Sequence, residues 1–176
     1  MSLPPSVIGW DEGMNVSAQR GAVLIVSLVF LLLLTLLATS SMQNATLQEK
    51  VAGTLKRRDA SFQAAETALR IAEAKIVAPG FSLQGCSSPA KCLPPPEALT
   101  LSNSGAGGSS GVDWVATRGG FYGIQHVGQT DQPAGGADGQ FWTLYRVTAI
   151  GIEGDSRTVL ESIHTQERRV MWRQRQ

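Results

Sequence analysis

The sequence predicts an α+β fold in which one long N-terminal helix, its first half transmembrane, packs on a C-terminal antiparallel β-sheet. Three observations carry this prediction: an uncharged apolar run over 22–38, an amphipathic helical pattern over 42–78, and β-rich segments with partial alternation after residue 111. The net charge of +1 gives the chain no general attraction to nucleic acid. A single modest domain behind an N-terminal appendage is therefore expected.

The apolar run is interrupted only by Ser27 and Thr35. As a helix it would be about 25 Å long, slightly short of the hydrocarbon core of a bilayer. This length predicts a membrane segment rather than a core helix. These residues alone leave three interpretations of the apolar run open: a signal peptide cleaved near Ala38, an uncleaved signal anchor, or a segment that is cleaved at Gly21 and retained.

The second half of the predicted helix has no break signal until Pro79-Gly80, and Gly53 is its one weak position. Its apolar residues follow the spacing of one helical face, interrupted by Arg58. These residues are Leu47, Val51, Leu55, Phe62, Ala65, Leu69, Ala72 and Ile76. The opposite face is small and smooth, which would allow a second helix to approach closely. Its residues are Ala45, Ala52, Ala60, Thr67 and Ala74.

No helix-breaking signal separates the apolar run from the amphipathic helix, so one helix of about 85 Å is expected over 22–78. Such continuity favours a segment that is kept. A long helix of this kind suits a protein that leaves the bilayer and packs against copies of itself or relatives.

Two cysteines, Cys86 and Cys92, enclose the loop "CSSPAKC". Downstream of a membrane segment this pair favours a disulfide in an oxidising compartment. A zinc site is disfavoured because His126 and His164 are distant in sequence and no second pair of close cysteines exists.

The C-terminal part predicts about four antiparallel strands. Along "QFWTLYRVTAIGI", Trp142 and Ile150 would share one face, and Tyr145 and Val147 the other. The stretch "EGDS" predicts a hairpin turn, and "GQTDQPAGGADGQ" a longer one. The basic end "RRVMWRQRQ" is predicted to be a last strand with a solvated tail.

The pair "RG" before an uncharged apolar run, followed by a helix carrying "SFQAAETALRIAEA", resembles the type IV pilin class and most closely the PilX-type minor pilins. The later stretch "YRVTAIGIEG…TVLES" looks similar to the same subgroup. The resemblance implies a prepilin-peptidase site, cleaved after Gly21, with methylation of the new N-terminus at Ala22. A short leader of this kind can begin at Met14.

One position departs from the pilin pattern. Most pilins carry a glutamate five residues into the mature chain, and here that position is Val26. The resemblance implies that this glutamate pairs with the terminal ammonium of the previously added subunit. A subunit without it is best tolerated where there is no predecessor, at the tip.

The resemblance implies a structural subunit that helps initiate pilus assembly at the tip, supporting twitching motility and adhesion. Expected partners are other minor pilins, the major pilin, prepilin peptidase, the inner-membrane assembly machinery, membrane lipid and a tip adhesin. No enzyme activity, cofactor, metal or nucleic acid is expected, since no catalytic or phosphate-binding motif occurs. Two alternatives stay open: a tip-type pseudopilin of type II secretion, and a membrane-anchored periplasmic binding module.

The expected organisation has five parts. These are a leader over 1–21, a transmembrane and filament-core helix half over 22–41, an amphipathic half over 42–78, a disulfide-bearing loop over 79–111 and the sheet over 112–176.

Overall fold

The computed structural model describes the backbone of residues 16–132 and 139–175, and side chains from residue 21 onward. The chain divides into two compact units, Met1–Lys50 and Val51–Gln176. The proposed leader start at Met14, and with it most of the leader, lies outside the described residues.

The helix α1 spans Val16–Val77, so the predicted continuity of the apolar and amphipathic segments is confirmed. It ends where the sequence indicates. Pro79 has no N–H to donate, and Gly80 adopts φ +78°, a left-handed conformation that favours glycine and turns the chain away. Residues of α1 up to Lys50 form the first unit, and residues from Val51 onward belong to the second.

The second unit contains a six-stranded antiparallel sheet in which every strand lies beside its neighbours in sequence. The predicted α+β arrangement is confirmed. The strands are β1 (Gly105–Ala106), β2 (Asp113–Thr117), β3 (Gly120–Thr130), β4 (Trp142–Glu153), β5 (Ser156–His164) and β6 (Arg169–Arg175).

The prediction of about four strands was too low, for two reasons. The loop over 79–111 contains the short strand β1 and two 3-10 turns, Pro89–Cys92 and Pro96–Leu99. The stretch "RTVLESIHTQERRV", predicted as one strand, holds β5 and the start of β6, because the Thr165 hydroxyl accepts the N–H groups of Glu167 and Arg168 and forms a turn. That turn reverses the chain into β6. The predicted last strand is present as β6 and extends to Arg175, where a solvated tail was predicted. The predicted hairpin at 153–156 is present, with Glu153 paired to Ser156 and Gly154 at φ +55°.

Both faces of β4 are buried, each against a different layer. Tyr145, Val147 and Ala149 pack on the second half of α1, in a cluster with Leu69 and Ile76. On the opposite face, which we call the outer face, Ile150 packs with Trp114, Val112, Val159 and Ala98. The loop over 79–111 supplies Ala98 and covers this face. The alternation predicted for β4 therefore marks two cores, not a core and a solvated surface.

The backbone of α1 lies very close to the sheet at Gly151 of β4. A Cβ atom there would lie 1.9 Å from the Ser61 backbone oxygen and 2.4 Å from the Ala65 backbone nitrogen. Beside this contact the Ser61 hydroxyl lies 2.9 Å from that of Thr158 and 3.1 Å from that of Ser156. Small side chains and paired hydroxyls thus let the helix backbone rest almost directly on the strands.

Replacing Gly151 by Ala is expected to lower the free energy of unfolding by about 1–3 kcal/mol, because the helix must move off the sheet to admit the methyl group. Urea unfolding of the full chain in detergent micelles, followed by tryptophan fluorescence, measures the loss. Gly107→Ala is the control, since no atom lies within 4 Å of a Cβ built at Gly107. Equal effects of the two substitutions would contradict the close-contact explanation.

Candidate assembly surface

The described part of the first unit presents an uncharged, exposed surface that is apolar over 22–38. Residues 21–48 contain no Asp, Glu, Lys or Arg, and every side chain from residue 21 to Lys50 is exposed. Among the described residues, one helix is long and apolar enough to cross a membrane, and none of its most apolar window is buried inside the protein. Apolar area of this extent is stable only against lipid or other apolar side chains.

Three hydroxyls of this surface are hydrogen-bonded within their own helix. The hydroxyls of Ser27, Thr35 and Thr39 each donate to the backbone oxygen three residues earlier, at 2.8, 2.8 and 3.0 Å. A hydroxyl bonded within its own helix carries little cost in an environment without water. The surface can therefore be covered by lipid or by another helix without leaving these three groups unpaired.

Gly21, Ala22 and Val26 lie on this exposed part of α1. Nothing lies within 4 Å of a Cβ atom built at Gly21. A glycine inside a helix costs about 1 kcal/mol relative to alanine, and the folded structure gives no steric reason for it here. Val26 is 65% exposed, so any partner of this position must come from outside the chain.

The predicted apolar stripe of α1 divides into two parts. In the second unit, Ala65, Leu69, Ala72 and Ile76 are buried against the sheet, and Phe62 is half-buried. Leu47 in the first unit and Val51 and Leu55 in the second are exposed. Only the last part of the stripe is thus used by the chain's own core. Of the small-residue face, Ala45, Ala52, Thr67 and Ala74 are exposed and Ala60 is half-buried.

The outermost strand contacts the stripe at Phe62, where the buried part of the stripe begins. Phe62 of α1 meets Trp172 of β6 edge-on, with ring centres 6.4 Å apart. Trp172 is itself exposed, as is its neighbour Met171. The apolar surface of the second unit therefore extends from the helix onto the outermost strand.

The cysteine pair lies at disulfide distance, with the Cα atoms of Cys86 and Cys92 5.5 Å apart. The peptide N–H of Cys86 donates to the His126 backbone oxygen at 3.1 Å. This contact fixes one end of the cysteine loop to β3. His126 and His164 both lie on strands, and no group of three or more His, Cys, Asp or Glu side chains that could hold a metal ion occurs in the described part of the chain.

Sequence reasoning missed an ion pair that anchors α1 to the end of the sheet. Glu73 accepts from Arg169 of β6 at 2.8 and 2.5 Å and from the Ser162 hydroxyl at 2.6 Å. A signal was present, since Glu73 lies four residues after Leu69 and three before Ile76 and so falls within the buried stripe. An acidic residue at such a position requires a buried partner.

Burial by itself would raise the pKa of the Glu73 carboxyl, but the hydrogen bonds from Arg169 and Ser162 outweigh it and hold that pKa below its usual value. The same contact raises the pKa of Arg169. At pH values between the lowered pKa of Glu73 in the folded state and its ordinary pKa of about 4.3, the unfolded chain binds more protons than the folded chain. The ion pair therefore stabilises the folded state above about pH 4.3. This stabilisation is lost as the pH falls through the pKa that Glu73 has in the folded state.

We expect Glu73→Gln to lower the free energy of unfolding by about 1–2 kcal/mol at pH 7, because the charge-assisted bonds to Arg169 are lost. The difference from the unsubstituted protein should stay constant above about pH 5 and shrink as the pH is lowered toward 3. Urea unfolding at a series of pH values measures this. Glu66→Gln, which breaks the exposed pair with Arg70, should show at most a few tenths of a kcal/mol. A difference for Glu73→Gln that grows in acid would show the sign to be wrong.

Part of α1 matches a known protein family. Residues 20–70 match the family model described as PilX N-terminal. No curated protein and no solved structure matches the chain.

Proposed function

We propose that the chain, whose residues 20–70 match the family model described as PilX N-terminal, is a minor pilin of a type IV pilus, a structural subunit that helps to prime pilus assembly at the tip. The observation that carries this proposal is the uncharged, exposed part of α1 over 21–48, with Val26 where most pilins have a glutamate. The resemblance predicted from the sequence is confirmed by the family match, which supports a minor pilin of the PilX type.

In the proposed pathway the chain begins as a membrane-anchored precursor. The pilin family and the apolar helix fit a membrane-anchored pilus subunit. The leader lies inside, the apolar part of α1 crosses the inner membrane, and the sheet domain lies in the periplasm, where Cys86 and Cys92 can oxidise. Prepilin peptidase cleaves after Gly21, and the amine of Ala22 is methylated. The absence of a packing role for Gly21 supports this, since recognition by a peptidase explains the glycine.

In the pilus, the apolar surface moves from lipid to contacts with other pilins. The Ser27 and Thr35 hydroxyls do not oppose this exchange, because each already donates to a backbone oxygen of α1 and needs no new partner. The exposed Val51 and Leu55 are then covered by neighbouring subunits. We infer that other minor pilins and the major pilin are the direct partners and that the chain acts through these contacts, without catalysis.

Val26 determines where in the pilus the chain fits. A carboxylate in a bilayer is disfavoured by about 2.5–3.5 kcal/mol, so the pilins that keep one use it for pairing with the terminal ammonium of a predecessor. A valine cannot neutralise that charge. The subunit is therefore best placed at the tip, where no predecessor exists, and it begins a template onto which the major pilin adds.

Deletion of the gene is expected to abolish pili and twitching, and complementation with a Gly21→Ile variant should fail to restore them because the leader stays attached. Intact mass of the protein from its native membrane, with and without prepilin peptidase, should show peptidase-dependent cleavage before Ala22 and a methylated amine. Complementation with Gly53→Ala, a helix glycine that also has open space around it, serves as the control and should restore pili.

Other outcomes of the same experiments point elsewhere. Loss of a secreted enzyme with intact pili would indicate a pseudopilin of type II secretion. Neither defect, together with an uncleaved N-terminus in both strains, would leave a membrane-anchored binding module.

Val26→Glu is expected to move the subunit from the tip into the shaft, because the new carboxylate can neutralise a predecessor's ammonium. Immunogold labelling of sheared pili measures the position of the subunit along the filament. Val26→Gln is the matched control, with similar size and no charge, and should remain at the tip. Label spread along the shaft for the unsubstituted protein would contradict the tip position.

A further inference from the structure

We propose that the outer face of the sheet carries a pocket that binds a single carboxylate group between Arg146 of β4 and Arg173 of β6. The pocket encloses about 140 Å³. Across the strands Arg146 lies opposite Ile163, which lies opposite Met171, and in the next row Glu161 lies opposite Arg173. Two guanidinium groups, two apolar side chains, the Glu161 carboxylate and Ser162 therefore line one small concavity.

The pocket holds more positive than negative charge. Glu161 is almost fully buried, and its Oε2 accepts from Nε and Nη2 of Arg173 at 2.9 and 2.6 Å. Its Oε1 accepts from Arg175 at 3.3 Å. The Glu161 carboxylate thus accepts hydrogen bonds from two arginines, and each of its oxygens accepts at least one of them.

Arg146 is the third arginine of this cluster, and it has no carboxylate partner among the residues that the structure describes. Its Nη1 donates to the Cys92 backbone oxygen. Burial lowers the pKa of Arg146, the attraction of Glu161 opposes this, and repulsion by Arg173 and Arg175 adds to the lowering. A half-buried guanidinium beside two others gains from any anion that enters the pocket.

The dimensions and walls favour a carboxylate side chain as the occupant. A volume of about 140 Å³ holds a carboxylate and its methylene stem, whereas pockets for larger ligands start at about 300 Å³. The planar fork of a guanidinium matches a carboxylate in two parallel hydrogen bonds. Ile163 and Met171 supply an apolar wall for the stem. Resting on the proposed function, we assign the carboxylate to an Asp or Glu side chain of a neighbouring pilus subunit.

Propionate, which has the size of a glutamate side chain end, is the probe. We expect it to raise the unfolding midpoint of the full chain in detergent micelles by about 3 °C at 100 mM, relative to chloride at the same ionic strength. Arg146→Gln should lose this shift, and Arg146→Lys should keep part of it. Arg70→Gln removes the same charge from an exposed site on α1 and should respond like the unsubstituted protein.

A second variant covers the case in which Arg146→Gln loosens the Cys92 contact. Met171→Glu leaves Arg146 in place and adds a carboxylate at the rim, so it should abolish the propionate shift by occupying the pocket. Equal shifts in all variants would overturn the site. A shift with phosphate that depends on Arg146, without one for propionate, would overturn the carboxylate assignment.

The origin of the carboxylate is tested in cells. In the deletion strain, Arg146→Gln and Met171→Glu should each restore several-fold fewer pili than Arg70→Gln. Full piliation by both variants, in a strain whose deletion abolishes pili, would overturn the assignment to a neighbouring subunit and leave the proposed function standing. Normal pili after deletion would instead remove the proposed function, while the propionate result on the purified protein would still decide the pocket.

Discussion

The close contact of the α1 backbone with β4 is the constraint on which the second unit depends. It exists because Gly151 has no side chain and because the facing helix residues are Ser61 and Ala65. Because the backbones are this close, the small side chains of Ala68 and Ala72 fill the remaining space between α1 and the sheet. Leu69 and Ile76 are the larger side chains that α1 packs into the same core. Farther along, the Glu73–Arg169 ion pair anchors the same helix to the outermost strand.

The same close fit explains why the chain leaves so much apolar surface exposed. The sheet covers α1 only from about Ser61 to Ile76, so Val51 and Leu55 continue the stripe without a cover. The first unit has no buried side chain among its described residues. In water, a single chain would expose several hundred Å² of contiguous apolar surface, which monomeric soluble proteins rarely do. This apolar area has to be covered by lipid or by apolar side chains of other molecules.

The outer face of the sheet shows how the irregular loop is held. Arg146, Arg157 and Arg175 all donate to backbone oxygens of that loop, at Cys92, Ala98 and Leu101, and Pro95. Arginines from the sheet thus replace the ladder hydrogen bonds that the loop lacks. This places several guanidinium groups around one buried carboxylate, Glu161, and the proposed carboxylate pocket follows from that imbalance of charge.

The sequence by itself determined the helix, its end at Pro79-Gly80, the apolar character of its first half and the alternation of β4, because each is a local pattern of hydrophobicity or backbone restriction. Through "RG" and the helix that follows, it also indicated the resemblance to PilX-type pilins that the match over residues 20–70 supports. Only the tertiary structure decided which part of the apolar stripe is buried, why Gly151 is a glycine, and which charges meet. Each ion pair joins two different elements: Glu73 with Arg169, and Glu161 with Arg173. Their pairing depends on strand register and on the turn at Thr165, which no periodicity in the sequence predicts.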